Sequence, residues 1–139
     1  MTDAALVSKK LALVETYVRE LRELADPSAL PTDLRERRFV EHTLQIAIQS
    51  MLDVASHIVS DNHLGEPENN GQLFERLADA GWVEPSQRRT LVAMAGFRNI
   101  LVHGYASVDP GIVRDIVENR LSDLTDFVAT IRRKLDRVE

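Results

Sequence analysis

The chain has 139 residues, no cysteine and a net charge of −5. The absence of cysteine excludes disulfides, zinc–thiolate sites and thiol nucleophiles. An acidic chain is also unsuited to coating nucleic acid non-specifically, although a small local RNA site remains compatible with it. The length is that of one domain, so we treat residues 1–139 as a single unit. Because the N-terminal residues do not resemble a signal peptide and no apolar run approaches the ~20 residues of a membrane span, we expect a cytoplasmic protein without membrane contact.

Apolar residues at helical spacing, interrupted by helix-breaking residues, divide the chain into five predicted helices. In chain order these are about 3–25, 33–61, 72–80, 85–103 and a last helix from 110 to beyond 135. Pro27, Gly81, Pro85, Gly104 and Pro110 all lie at the boundaries. The second helix has Thr32 or Asp33 as its cap. Asp109 caps the last helix, which carries Ile112 and Ile116 on its apolar face. No strand pattern is present, so the sequence predicts an all-α up-and-down bundle of four long helices and one short helix.

The second helix carries an unusual polar stripe opposite its apolar face. With a step of about 100° per residue, the stripe consists of His42, Gln45, Gln49, Asp53, Ser56 and Ser60. This stripe is either a solvated face that lacks lysine, or a subunit interface or the wall of a polar cleft. His57 lies beside it, four residues after Asp53, where the two side chains can meet. A metal site formed by His42, Asp53 and His57 is disfavoured because residues 42 and 53 lie roughly three turns apart.

Arg98, near the end of the fourth helix, falls on that helix's apolar arc. A buried guanidinium needs a carboxylate or another acceptor, and Glu41 and Asp53 of the second helix are the candidates. Asn99 and His103 project together on the polar side, about 40° apart, whereas Arg98 and His103 are about 140° apart in a regular helix. The two groups therefore converge only if the helix loosens before its end or if two copies meet across a dimer, and we favour the dimer.

Arginine and histidine together suffice to cleave RNA without a metal. Arginine binds phosphate through a planar fork of donors, and histidine exchanges a proton near neutral pH. The 2′-hydroxyl of RNA is itself the nucleophile, so the protein need only transfer protons and stabilise charge. The alternative is structural: Arg98 as a buried cation, His103 as a helix-terminal residue favoured by the helix dipole, and Tyr105 as a packing residue with a polar tip.

The stretch from Phe97 to Tyr105, Phe-Arg-Asn-Ile-Leu-Val-His-Gly-Tyr, resembles the Arg-x4-6-His signature of HEPN-domain proteins. Its Arg-x4-His-x-Tyr form resembles more narrowly the HepT toxins of MNT/HepT toxin–antitoxin systems. Residues 41–57, 74–83 and 93–99 are also similar to the family's second helix, its short third helix and the approach to its motif. Phe97 stands where leucine is more usual, an exchange of one apolar residue for another. The similarity extends over roughly residues 3–136.

The resemblance implies a HEPN-like homodimer with a metal-independent endoribonuclease site and no cofactor. In such a site Arg98 binds the scissile phosphate, His103 is the general base or acid, and Asn99 orients His103 or the phosphate. Glu41, Gln45, Asp53 and His57 are expected to support the site or the subunit interface. The resemblance also implies that an MNT-type nucleotidyltransferase antitoxin transfers AMP from ATP to Tyr105 and so inactivates the toxin.

Two other functions are also compatible with the sequence. A non-catalytic binding subunit of a nucleotidyltransferase complex would explain the acidic charge and the absence of a basic RNA track. A purely structural helical dimer has less support, because it would not need an arginine on an apolar arc.

Overall fold

The computed structural model describes residues 3–104 and 108–138, and it consists of helices joined by short loops. The helices are α1 (Ala4–Leu24), a short 3-10 turn (Pro27–Ala29), α2 (Leu34–Asp61), α3 (Asn70–Asp79), α4 (Pro85–His103), α5 (Pro110–Asp115), a π-helical segment (Ile116–Arg120) and α6 (Leu121–Val138). The last three elements follow one another without a break and form one long helix. No strand occurs in this described part of the chain, and the predicted all-α bundle is confirmed.

Short polar side chains begin four of the helices, as the sequence predicted for two of them. Asp33 rather than Thr32 caps α2, since its carboxylate accepts hydrogen bonds from the backbone N–H groups of the first turn. Asp109 caps α5 in the same way, and Asp3 caps α1. Asn69 accepts a hydrogen bond from the Gln72 N–H at 3.0 Å. The short helix α3 therefore begins at residue 70, two residues before its predicted start.

Helix α2 occupies the centre of the bundle. It packs against α1, α3 and α4, and α6 closes the opposite side by packing on α1 and α4. Because it has neighbours on several sides, α2 buries Thr43 and Ser50 as well as its apolar face. Their hydroxyls donate to the carbonyl oxygens four residues earlier, which satisfies them within the helix. The packing of α2 against α4 fixes the position of the two helices relative to each other.

The π-helical segment was not predicted, and it changes the register of the last helix. Ile116 and Leu121 are both buried although they lie five residues apart, a spacing that would separate them by about 140° in a regular α-helix. Hydrogen bonds from i to i+5 widen the turn, so that both side chains reach the core. Ile112, expected on the apolar face, is 52% exposed, and Val113 is buried in its place.

Candidate active site at the end of helix α4

Helix α4 remains helical through His103. The Gly104 N–H donates to the carbonyl oxygen of Ile100 at 2.8 Å and closes the last turn. The alternative in which the helix loosens before Gly104 is therefore wrong. Arg98 and His103 leave the helix about 140° apart, as regular geometry requires. Arg98 is partly buried on the inner side, whereas His103 is exposed at the end of the helix.

A hydrogen-bonded chain of side chains holds Arg98. Its Nη1 donates to Oδ1 of Asn99 at 3.3 Å, and the same oxygen accepts from Nδ2 of Asn70 at 3.2 Å. Asn70 lies at the start of α3, 29 residues from Asn99 in sequence. Sequence reasoning missed Asn70, because it lay in a stretch taken for a polar loop. The only available signal was an asparagine pair just before a short helix.

This chain of bonds directs the Arg98 guanidinium toward the side of α4 that carries His103. Asn99, which receives the guanidinium, lies only about 40° from His103 around the helix. Asn99 binds Arg98, and we therefore interpret it as a residue that orients the arginine rather than the histidine.

Neither of the two carboxylates predicted as partners for Arg98, those of Asp53 and Glu41, binds it. Asp53 accepts from Nζ of Lys10 at 3.1 Å and from the amide of Gln49 at 2.9 Å, so it binds α1 and its own helix and neither Arg98 nor His57. Glu41 has a buried Oε2 without a hydrogen-bond partner, and Arg98 has a buried Nε without one. Within residues 3–104 and 108–138 no ion pair joins Arg98 to either carboxylate.

Burial determines the electrostatic state of Glu41. Desolvation raises the pKa of its carboxyl above the ordinary value, and the nearby Arg37 and Arg38 guanidiniums oppose this effect without cancelling it. The buried Oε2 of this carboxyl has no hydrogen-bond partner and therefore has unused capacity to accept a donor.

The two ends of the polar stripe of α2 line two separate clefts. His42 and Gln45, together with Glu41, line a groove of about 410 Å³ that is closed on the other side by Leu101 of α4. Ser56 and Ser60 line a separate cleft near the loop after α2. The first of these, which we call the α2–α4 groove, reaches α4 two residues before His103. His42 and Gln45 therefore line a cleft, although its lining includes the apolar side chains of Leu34 and Leu101 as well as polar ones.

Several properties bear on the site indirectly. No three histidine or acidic side chains in the described ranges come together in a way that could hold a metal ion. Tyr105 lies outside the described residues. None of the described helices is both long and apolar enough to span a lipid bilayer.

Comparison with known proteins places this geometry in a family. The family model described as "Ribonuclease HepT-like" matches residues 14–131, and the chain belongs to this family. The mRNA nuclease HepT of Shewanella oneidensis is 27% identical over 128 residues, which cover 91% of this chain and 96% of that protein. The tRNA nuclease HepT of Aphanizomenon flos-aquae is 24% identical over 139 residues, covering 99% of this chain and 95% of that protein.

A solved structure gives the same result for the fold. The tri-AMPylated HEPN toxin of Shewanella oneidensis, solved in complex with an MNT antitoxin, superposes with a TM-score of 0.85 at 27% identity. The superposition covers 96% of this chain and 99% of that one. The resemblance inferred from residues 97–105 therefore extends to the whole bundle.

Proposed function

We propose that this chain is the toxin of a toxin–antitoxin pair, a metal-independent endoribonuclease that an MNT-type nucleotidyltransferase antitoxin inactivates by transferring AMP to Tyr105. One observation carries the proposal. The last turns of α4 present a partly buried arginine, held by Asn99, and an exposed histidine, in a chain of the ribonuclease HepT-like family. The family's curated relatives are named as nucleases of mRNA and tRNA.

The proposed reaction needs only the groups that Arg98 and His103 supply. The 2′-hydroxyl of RNA loses its proton to a histidine and attacks the adjacent phosphorus, and the bond to the leaving 5′-oxygen breaks as that oxygen gains a proton. The products are a 2′,3′-cyclic phosphate and a 5′-hydroxyl. Arg98 donates to the non-bridging oxygens, where negative charge increases in the transition state. A substrate with a single 2′-deoxy sugar at the cleaved position lacks the nucleophile and should not be cut.

The active unit is proposed to be a homodimer. The outer side of α4 carries a row of apolar or small residues at helical spacing: Ala93, Gly96, Phe97 and Ile100. Ile100 is 49% exposed. Ala93 and Phe97 also line a shallow groove with the 52% exposed Ile112. An uncovered apolar surface next to His103 suits a second copy of the chain, which would bring two arginines and two histidines to one cleft.

The proposed inactivation adds a bulky anion beside the site. The Tyr105 hydroxyl attacks the α-phosphorus of ATP and pyrophosphate leaves, so that an adenylyl phosphodiester is joined to the chain two residues after His103. The added phosphate would compete with RNA for Arg98 and block access to His103. ATP and its metal ion belong to the partner's reaction.

The proposal is tested by expressing the wild-type, Arg98→Ala, His103→Ala and Tyr105→Phe chains without the partner. Wild type and Tyr105→Phe should arrest growth and cut RNA in vitro, and the other two should do neither. Co-expressed nucleotidyltransferase should rescue cells from wild type but not from Tyr105→Phe. If none of the four chains cuts RNA or arrests growth, the chain is a non-catalytic binding subunit instead.

Mixing the two inactive variants tests the composite dimer. If each site takes its arginine from one chain and its histidine from the other, a heterodimer of Arg98→Ala and His103→Ala retains one intact pair and regains part of the activity. If both groups come from the same chain, the mixture stays inactive. Each variant alone, at the same total concentration, is the control.

A further inference from the structure

Two arginines line the α2–α4 groove, and they differ in their hydrogen bonds. Arg37 is fixed, because its Nε and Nη2 donate to the carbonyl oxygens of Leu30 and Pro31 at 3.2 and 3.1 Å. Arg38 is exposed and, within the described ranges, has no hydrogen bond or ion pair. Both residues lie in the first turns of α2, where the helix dipole disfavours cations. Arg38 favours the charged form of the Glu41 carboxyl through space, but within the described residues its guanidinium donors remain available to an anionic ligand.

The rest of the groove supplies what a nucleotide needs besides a cation for its phosphate. Leu34, 58% exposed, and Leu101 form an apolar wall suited to the face of a base. The Gln45 amide, which also lines the groove, can donate to or accept from polar groups of the base or ribose. The groove volume of about 410 Å³ lies within the range of small-ligand sites, roughly 300–1,000 Å³.

The groove also lies at the same end of α4 as the proposed catalytic histidine. Leu101 is two residues before His103, which is about 3 Å along the helix axis. The two lie on different sides of a helix that is about 10–12 Å wide, which one or two further nucleotides of the same strand would have to cross. Arg37 and Arg38 outnumber Glu41, so the groove is locally positive on a chain whose net charge is −5.

We propose that the α2–α4 groove binds a nucleotide of the RNA substrate one or two positions from the cleaved linkage, and that Arg38 binds its phosphate. This inference rests on the proposed ribonuclease function and extends it, because it assigns a substrate contact outside the Arg98 and His103 pair. A substrate that has only the cleaved linkage cannot reach the groove.

Cleavage of two RNAs by the same variants tests the assignment. A dinucleoside monophosphate contains only the scissile phosphate, whereas a hexaribonucleotide also fills the groove. Arg38→Ala should raise KM for the hexamer about tenfold, as the loss of one charge-assisted contact implies, and should leave cleavage of the dinucleotide unchanged. Arg35→Ala is the matched control, since Arg35 is an exposed arginine of the same helix end that does not line the groove.

Binding provides an arm that does not depend on cleavage. In the His103→Ala background, fluorescence anisotropy with the hexamer should show weaker binding for Arg38→Ala and a salt slope smaller by about one. The melting temperature should change little, because Arg38 is exposed and the attraction of an exposed arginine to a carboxylate contributes little to stability.

Three results separate the possible failures. Equal losses on dinucleotide and hexamer, or equal effects of Arg38→Ala and Arg35→Ala, would overturn the assignment while the ribonuclease function stands. A wild-type protein that cuts neither RNA but binds the hexamer through Arg38 would refute the ribonuclease and keep the binding site. Absence of both cleavage and binding would refute both.

Discussion

Asn70 offers the sharpest test of how the site is held together, because it lies on a different helix from every residue of the motif. Replacing it with alanine removes the donor that holds Oδ1 of Asn99 at 3.2 Å, while the Arg98–Asn99 contact at 3.3 Å can still form. The change therefore frees the Asn99 amide to rotate. Arg98 then has to be ordered by substrate binding instead of being ordered beforehand.

The expected magnitude follows from one partly buried hydrogen bond between neutral groups. Such a bond contributes about 0.5–1.5 kcal/mol, and a loss of that size in the transition state lowers kcat/KM about 2- to 12-fold. Removing the arginine itself should have a much larger effect, on the order of 100-fold or more, as for a group that binds developing charge directly. Asn70→Ala should thus be a mild variant and Arg98→Ala a severe one.

The assay is single-turnover cleavage of a fluorescent oligoribonucleotide by Asn70→Ala, Asn99→Ala and the double variant. Because Asn70 acts through Asn99, the double variant should be no slower than Asn99→Ala alone. Gln72→Ala is the control. Gln72 lies on the same helix and its replacement also removes one hydrogen bond, from the Glu68 N–H at 2.8 Å, but that bond joins α3 only to the loop before it. Additive losses in the double variant, or equal losses for Gln72→Ala, would refute the positioning role.

Two further predictions concern stability. Phe74 and Phe127 are fully buried, and their ring centroids lie 5.7 Å apart, edge to face. Phe74→Ala should therefore lower the free energy of unfolding, measured by urea titration, by about 3–5 kcal/mol. A loss below about 1 kcal/mol would contradict the packing of these two rings between α3 and α6. Burial raises the pKa of Glu41 above its ordinary 4.5, so the folded protein binds this proton more tightly than the unfolded chain. The charged Glu41 carboxylate therefore destabilises the folded protein. This destabilisation is fully present above the pKa of Glu41 in the folded state and disappears as the pH falls below 4.5. Glu41→Gln should therefore melt at a higher temperature than wild type at pH 7–8, with a difference that shrinks toward pH 4.5, whereas a difference independent of pH would contradict this cause.

Features that depend on near neighbours could be predicted from the sequence. The helix starts at Asp33 and Asp109 and the helix end at Gly104 follow from hydrogen bonds within a few residues, and the structure has each of them at its predicted place. The regular α4 in turn fixes the angular relation of Asn99 and His103. The resemblance to the HepT family was likewise inferred from contiguous residues, and the family match confirms it.

The partners of long polar side chains were decided only by the tertiary structure. Asp53 was a candidate for Arg98, but Lys10, 43 residues away in sequence, binds it because α1 packs along that side of α2. Arg98 reaches Asn99, and Asn70 fixes that contact, because α3 packs across α4. A sequence specifies which faces of its helices are buried, since burial depends on local periodicity. Which groups then meet at a site depends on how the helices pack and on chain reversals many residues away, which helical periodicity does not encode.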